Sequence, residues 1–499
     1  MKIFLISRTT KKIVSTDIMD QKATSFTNVE VKKLTSPYYD AYFEQNGQLV
    51  PYRLSNLNVI KLLFFTRRYQ SFLSNGKTLR PFTTRNKQLS FVYLTSNGMN
   101  RNLYRKQMWG YIIGKLMNIM SPFNRPNLVF EKLSERAQES GLAYFKFVME
   151  NYPREKNYFI IKKTSSDFKR IKLYKNVIIH GSFKYFYLLI RSKLFISSET
   201  PSHAYFWREN MGLTSNVVRT KPYVFLQHGV LGFKKLDSIF YGDQLTAPVR
   251  LITSSQFEQD IVTQQLEYDV ERAPITGLAR WDLIDLKQER TNLRDKILLF
   301  YTWRPWLDDV DDATFVQSEY FLSIKAAIRS LKEMNLDKQI VVMMHPKMHA
   351  ALDDNEILNI KLWTDEDGPL NELMSSVAVL ITDYSSLSWE AYYREIPVIF
   401  DMFDQQRYEK EVGSYIDLNQ VPFGNKVIKN LRDSLETVIT RQYQLGEEEL
   451  KNKKQYFAFE DQNASQRIHE VVKNIDLRAI NRDKRRLMFR ALLRIIFKK

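Results

Sequence analysis

The chain of 499 residues contains no cysteine. That absence excludes a disulfide scaffold, thiolate zinc sites, iron–sulfur clusters and a cysteine nucleophile in one step. Long apolar runs are missing as well. The opening segment MKIFLISRTTKKIVS has only a short apolar run before charge resumes, too little for a signal-peptide core, and it reads as a strand. The longest apolar stretch, Met108 to Met120, is interrupted by Lys115 and falls short of the roughly 20 residues that a bilayer crossing needs. A core or interfacial helix is expected there, with the core favoured. No nucleic-acid motif or basic–aromatic platform is present, so no nucleic-acid partner is expected. His345 and His349 lie four apart, but Pro346 follows the first and no HExxH glutamate accompanies them, so no metal site is expected.

What is present is a basic chain able to bury real cores. It is 44% hydrophobic and 26% charged, with 74 Lys+Arg against 56 Asp+Glu for a net charge of +18. At roughly 100–200 residues per domain the length predicts about two to four domains. The charge is concentrated at one end: residues 478–499 hold nine basic residues and one acid, Asp483. On a helical wheel Leu487, Met488, Ala491, Leu492, Ile495 and Ile496 share a face and arginines occupy much of the rest. This pattern suggests a basic amphipathic helix on an anionic membrane surface, the alternative being a terminal helix packed on its own domain with a solvated basic face.

Three regions precede that tail. Residues 1–105 are rich in Tyr, Phe, Thr and Asn, with turn signals at Asn46-Gly47, Asn75-Gly76 and Asn97-Gly98, and read as a β-rich or mixed accessory module. A helical segment from Tyr104 to Met120 follows. From residue 125, short apolar runs alternate with amphipathic helices, which predicts parallel sheets covered on both faces. The expected strands are 128–130, 158–161, 176–179, 194–197 and 223–226 in a first half, 125–245. A second half, 246–475, holds 250–253, 273–275, 296–301, 339–344, 377–382 and 397–400. Its last stretch is read as helical and packing back across both halves. A crevice between two such halves suits a nucleotide-linked substrate.

In such sheets chemistry gathers on the loops after the strands' carboxyl ends. QHG, with Lys234 and Lys235 beyond it, places His228 and Gly229 after one strand; the imidazole is either a proton acceptor or a satisfied structural histidine. HP puts His345 after another. YTWR brings Arg304, a natural diphosphate partner, to a third. TDYSSLSWE follows a fourth with Thr382, Asp383, Ser385, Ser386 and Glu390, a turn that suits phosphate but also reads as an ordinary serine cap. GLARWD, at 277–282, holds Arg280 and Asp282, either part of a site or a structural pair in a turn.

Together and in this order, QHGVLGFKK, GLARWD, YTWR, HP and TDYSSLSWE resemble the motifs of the CDP-glycerol glycerophosphotransferase family of teichoic-acid-type polymer synthesis. The likeness extends over about residues 125–475, with departures at Val230, Ala279 and Tyr301. The resemblance implies an α/β fold, a GT-B-like pair of Rossmann-type domains. It implies metal-independent transfer of glycerol phosphate or a related polyol phosphate from a CDP-alcohol to a hydroxyl of a membrane-linked acceptor, with release of CMP. No cofactor is implied. The partners would be CDP-glycerol or another CDP-polyol, a lipid-linked glycan acceptor and an anionic membrane surface, at the cytoplasmic face of the cell membrane. By position, His228 would be the base, and His345 and Arg304 would hold the diphosphate. Thr382, Asp383, Ser385, Ser386, Glu390 and Arg280 would bind the donor; Gly229, Lys234 and Lys235 would lie on the acceptor and phosphate side. A nucleotide-sugar glycosyltransferase and a non-catalytic nucleotide-binding membrane scaffold are the competing readings.

Overall fold

The computed structural model describes residues 3–8, 10–16, 34, 36–65, 71–72, 77–84, 86–95, 101–206, 213–236, 240–244, 246–307, 310–343, 360–364, 367–427, 430–480 and 482. The turns expected at Asn75-Gly76 and Asn97-Gly98, the strand-tip His345 and the basic stretch after residue 482 lie outside them. The first sheet is antiparallel, built from β1 (Ile3–Ser7), β2 (Ile13–Thr16), β3 (Tyr38–Gln45), β4 (Gln48–Pro51), β5 (Ser71–Phe72), β6 (Lys77–Thr83) and β7 (Leu89–Thr95). Its order is β2-β1-β3-β7-β6-β5, with β4 on β3. Asn46 and Gly47 turn between β3 and β4 with φ of 52° and 76°, the left-handed pair that a two-residue hairpin requires.

Two parallel sheets follow. The first contains β8 (Asn127–Phe130), β9 (Asn157–Ile161), β10 (Val177–Ile179), β11 (Leu194–Ser197), β12 (Tyr223–Phe225) and β13 (Arg250–Leu251). The second contains β14 (Lys296–Phe300), β15 (Ile340–Met343), β16 (Lys361–Leu362), β17 (Val377–Thr382), β18 (Val398–Phe400) and β19 (Asn425–Lys426). Their orders, β10-β9-β8-β11-β12-β13 and β16-β15-β14-β17-β18-β19, are the same doubly wound order repeated. The central strands are apolar on both faces because helices cover both: every residue of β11 and β17 is buried. In each sheet the winding reverses between the first and fourth strands in sequence, β8 and β11 in one and β14 and β17 in the other.

The boundary between the halves is not at 245/246. β13 pairs in parallel with β12, and Thr253 bridges to Ile275, so the first half runs on past the GLARWD turn, and the second sheet opens at Lys296. The apolar run 273–275 contributes only that single bridge rather than a strand. The terminal helix Ala464–Lys473 leaves the second half and returns to the first. Asp282 caps it, accepting from the Ala464 and Ser465 amides at 2.8 and 2.7 Å, and His469 meets the Tyr144 hydroxyl at 3.1 Å.

The helix Arg101–Met120 lies on the surface rather than in the core. One face packs on the helix Phe183–Arg191, which begins at Ser182, whose hydroxyl accepts from the Tyr185 amide. Gly110 and Gly114 permit that approach: a Cβ on either would lie 2.6 Å from Phe186 Cβ or 2.8 Å from Ile190 Cβ. Arg191 closes its far end, donating to the Met117 and Ser121 carbonyls. The outward face carries Trp109, Ile112, Leu116 and Ile119, continued by Phe123, which is 84% exposed. Among the described residues no helix is long and apolar enough to cross a membrane.

Candidate functional site

A cleft of about 620 Å³ opens between the two parallel-sheet halves, lined by the loops that follow β8, β11, β12, β14 and β17. His228 stands in it, side chain exposed, on a backbone held in an unusual conformation. The preceding residue, Gln227, has φ of +59°, a left-handed geometry that non-glycine residues rarely adopt. A buried carboxylate maintains it. Glu258 Oε1 accepts from Gln227 Nε2 at 2.9 Å and from the Leu231 amide at 2.7 Å, while Oε2 accepts from the Ser254 amide at 2.6 Å. Glu258 thus ties both ends of the His-Gly loop to the helix Gln256–Gln265. Burial pushes its carboxyl up to about 7 despite those donors.

The tautomer of His228 follows from its neighbour. Nδ1 lies 3.2 Å from the Ser198 carbonyl oxygen, which only accepts, so this contact needs a proton on Nδ1, and in the neutral ring it leaves Nε2 as the acceptor. The His228 carbonyl is held in turn by Arg280 Nη1 at 2.8 Å. Arg280 also meets Glu139 at 2.7 Å and, across the cleft, Glu390 at 2.5 Å. Burial alone would lower the guanidinium's affinity for its proton, but Glu139, Glu390 and Glu131 more than offset it. Arg280 and Asp282 therefore form no pair with each other. One clasps the cleft and the other caps the terminal helix.

The second-half wall carries Ser385, Ser386 and Glu390. Ser385 Oγ accepts from the Leu387 amide at 3.1 Å, just ahead of the helix Leu387–Tyr393, whose N-cap position is Ser386. Ser386 packs directly on Gly229, and Trp389 on Gly232, so the two glycines of the His-Gly loop seat it against the second half. Lys234 lines the cleft. Lys235 does not; its amide bonds the Gly413 carbonyl and its stem packs on that glycine.

Three expected site residues are placed elsewhere. Arg304 is fully buried, its Nη1 on Asp383 at 2.7 Å and its Nε and Nη2 on Asp404 at 2.7 and 2.9 Å. The rings of Tyr320, Tyr384 and Phe403 pack around the guanidinium at 5.1–5.3 Å. Counting Nη1 on the Thr302 carbonyl at 2.6 Å, four of its five N–H donors are in these bonds, and it is enclosed behind the cleft lining. Asp383 also accepts from the Thr302 and Tyr384 amides, and the Thr382 hydroxyl donates to the Phe300 carbonyl. Thr382, Asp383 and Arg304 thus fasten the loops after β14 and β17 to each other behind the cleft. His345 lies outside the described residues.

The first-half wall contains residues that the motifs did not single out: Lys132, Arg136, Gln138 and Glu139 after β8, and Ser198 and Glu199 after β11. Burial raises the Glu199 carboxyl, opposed by His228 and Lys132. The strand-tip rule applied to NLVFEK and LFISSE would have found both loops.

Two doubly wound halves with a cleft at both reversal points define a GT-B-like architecture, with a histidine presented between them. The chain matches the CDP-glycerol:poly(glycerophosphate) glycerophosphotransferase family over residues 113–474, and it belongs to that family. It is 26% identical over 382 residues to the minor teichoic acid biosynthesis protein GgaB of Bacillus subtilis (strain 168), covering 72% of this chain and 41% of GgaB. A teichoic acid glycerol-phosphate transferase of Staphylococcus aureus (strain NCTC 8325 / PS 47) is 25% identical over 44% of this chain and 59% of its own length. The chain thus spans about two-fifths of GgaB and three-fifths of the S. aureus transferase. Among solved structures, the wall teichoic acid polymerase TagF superposes with a TM-score of 0.51 at 19% identity, covering 78% of this chain and all of that one, which supports the fold.

Proposed function

We propose that this protein transfers glycerol phosphate, or a related polyol phosphate, from a CDP-alcohol to a hydroxyl of a lipid-linked acceptor. The observation that carries the reading is His228. Its Nδ1 faces a backbone carbonyl, which in the neutral ring leaves Nε2 to accept a proton, in a cleft between two Rossmann-type halves of this family. The acceptor oxygen attacks the phosphorus that bears the polyol, and its proton passes to His228 Nε2. The new O–P bond replaces the bridging P–O bond, whose electron pair leaves with CMP. Such transfers depend on positioning and on stabilising charge around the phosphoryl oxygens. We assign donor contacts to Ser385 and Ser386, charge stabilisation to Lys234 and His345, and the fixing of the His228 backbone to Arg280 with Glu390.

The proposed setting is peripheral, at the cytoplasmic face of the membrane that carries the acceptor. Two features favour it. The helix Arg101–Met120 has an exposed apolar face, and residues 101–130 contain five basic residues and no acid. Arg478, where the basic stretch 478–499 begins, lies with its guanidinium 5.8 Å from the Phe123 ring at the end of that face. Apolar side chains flanked by cations are the composition that binds an anionic bilayer interface.

The test is CMP release from CDP-glycerol and CDP-ribitol with a lipid-linked acceptor, beside UDP- and GDP-sugars. Release from one CDP-polyol, lowered roughly 100- to 10,000-fold in His228→Ala, is expected for loss of a general base. Turnover of a nucleotide-sugar instead, or full activity in His228→Ala, would overturn the reaction or the assigned base respectively.

A further inference from the structure

Glu258 stands where a helix start puts a glutamate, and it is used for something else. Ser255 caps the helix Gln256–Gln265, its hydroxyl accepting from the Glu258 amide at 3.3 Å. A carboxylate at that position ordinarily turns back to the cap residue's own amide. Here one oxygen takes the Ser254 amide, and the other reaches across to Gln227 and Leu231. The carboxylate is fully buried and makes no ion pair among the described residues. Burying charge against neutral donors costs free energy, which a helix cap alone does not require. What it secures is the stretch 227–231, with His228 inside it and Gln227 left-handed; the Gln227 side chain also donates to the Ile252 carbonyl. The opposite end is grounded at the seam between the halves. Ser254 donates its hydroxyl to the Tyr456 carbonyl at 3.2 Å and accepts at its carbonyl from the Ala458 amide at 3.0 Å. The Phe257 ring lies 5.6 Å from that of Trp389 and 5.0 Å from that of Tyr456. Trp389, Tyr456 and Ala458 belong to the second half, and Trp389 packs in turn on Gly232 of the His-Gly loop.

We infer that Glu258 is a positioning residue for His228 that takes its reference from this seam, so that the imidazole is aligned while the two halves are together. The inference rests on the reading above, in which His228 is the base. Glu258 does not line the cleft and acts only through the loop that it holds. Three N–H groups converge on two oxygens that only accept. An amide in their place offers one acceptor and one donor, so either Ser254 or the His-Gly loop loses its partner. The loop then shifts, and His228 Nδ1 moves off the Ser198 carbonyl, the contact that selects the tautomer.

Turnover and the state of the His228 ring, read together in the full-length protein, test this. Glu258→Gln keeps the side-chain volume and is expected to lower kcat about tenfold or more, with the KM for CDP-glycerol within about twofold. NMR of ring-nitrogen-labelled histidine follows His228, whose signals are those missing from His228→Ala. In Glu258→Gln, well below its melting temperature, they should pass from one tautomer to a mixture. Gln227→Met removes the other partner of the same bond and should do likewise. Phe257→Ala breaks no bond of Glu258 and should give a smaller shift in the same direction. Wild-type kcat and ring signals in both Glu258→Gln and Gln227→Met overturn the inference, as does a lowered melting temperature with both readouts intact. An unchanged ring in Phe257→Ala overturns the reference to the seam. A fully active His228→Ala, or no turnover of CDP-glycerol by the wild type, would count against the reading of the reaction alone, because the tautomer reports the positioning whichever group takes the proton.

Discussion

Gly229 touches Ser386 so closely that a Cβ on the glycine would lie 2.7 Å from the serine hydroxyl oxygen and 2.8 Å from its Cβ. The contact joins the His-Gly loop of one half to the Ser-Ser turn of the other, so it sets how near His228 comes to the opposite wall. Gly229→Ala is expected to lower turnover on the order of 100-fold, the scale of an ångström of misplacement in a reacting group. The melting temperature should fall with it. Adding Ser386→Gly removes the colliding atoms and should restore the melting temperature, which differential scanning calorimetry of the four proteins in the cycle would show. No recovery would mean that the glycine serves some purpose other than this approach.

Arg304 should behave as a structural ion-pair centre. Removing one member of a buried pair leaves uncompensated charge, so Arg304→Ala is expected to cost about 3–5 kcal/mol in denaturant unfolding. Arg304→Lys keeps the charge but loses the fork that spans Asp383 and Asp404, and should fall between. A variant of wild-type stability with only a raised KM for the donor would return Arg304 to diphosphate binding.

Stability should decline from mildly acidic to mildly alkaline pH. Burial, reinforced by Glu139, pushes Glu131 up to about 8, and burial pushes Glu258 up to about 7. A carboxyl raised on folding is favoured in its protonated form, so its contribution is complete below the unfolded value near 4.5. It is lost as pH rises through the folded value. The window is therefore about pH 4.5 to 8. Glu395 acts oppositely: burial would raise it, but Arg290 and Lys453 hold it down to about 2, so its contribution is lost only as pH falls below 4.5. In Glu131→Gln and Glu258→Gln the slope of unfolding free energy between pH 5 and 8 should flatten, while the limb below 4.5 persists. An unchanged slope in both would show that neither group ionises in this range.

The exposed helix face and the basic tail give separable membrane predictions. Full burial of a large apolar side chain contributes about 1.5–3 kcal/mol. Even half of that for Trp109, Leu116 and Ile119 together amounts to roughly a 30-fold or greater change in affinity. Replacing the three with serine should weaken cosedimentation with neutral and anionic vesicles alike. Deleting 478–499 should weaken binding to anionic vesicles more than to neutral ones and leave turnover on a short soluble acceptor largely intact.

Much of the parallel-sheet framework is legible because central strands must be apolar on both faces. KILLFY, QIVVMM and VAVLIT coincide with β14, β15 and β17 to within a residue or so. The two-residue edge strands Lys361–Leu362 and Asn425–Lys426 are not, since two residues carry no period. His228 was legible from its place at a strand tip. The enclosure of Arg304 was not legible, for a reason of range. Its partner Asp404 lies 100 residues away, and nothing in YTWR distinguishes an arginine that faces the cleft from one enclosed behind it. Similarly, the apolar content of Met108 to Met120 does not tell which face is covered; Gly110 and Gly114 do, by permitting contact on one side only.

The terminal helix bears on how members of this family could be recombined. It begins in the second half but is anchored by Asp282 and faces Tyr144, both in the first. A hybrid that exchanges the second half alone would place a foreign helix on a native seat, and one that cuts at residue 245 would also separate Gln227 from Glu258. Junctions near residue 290 and just before 464, with the helix Ala464–Lys473 kept alongside the first half, would respect the surfaces that pack together. The two halves could then be exchanged as separate cassettes.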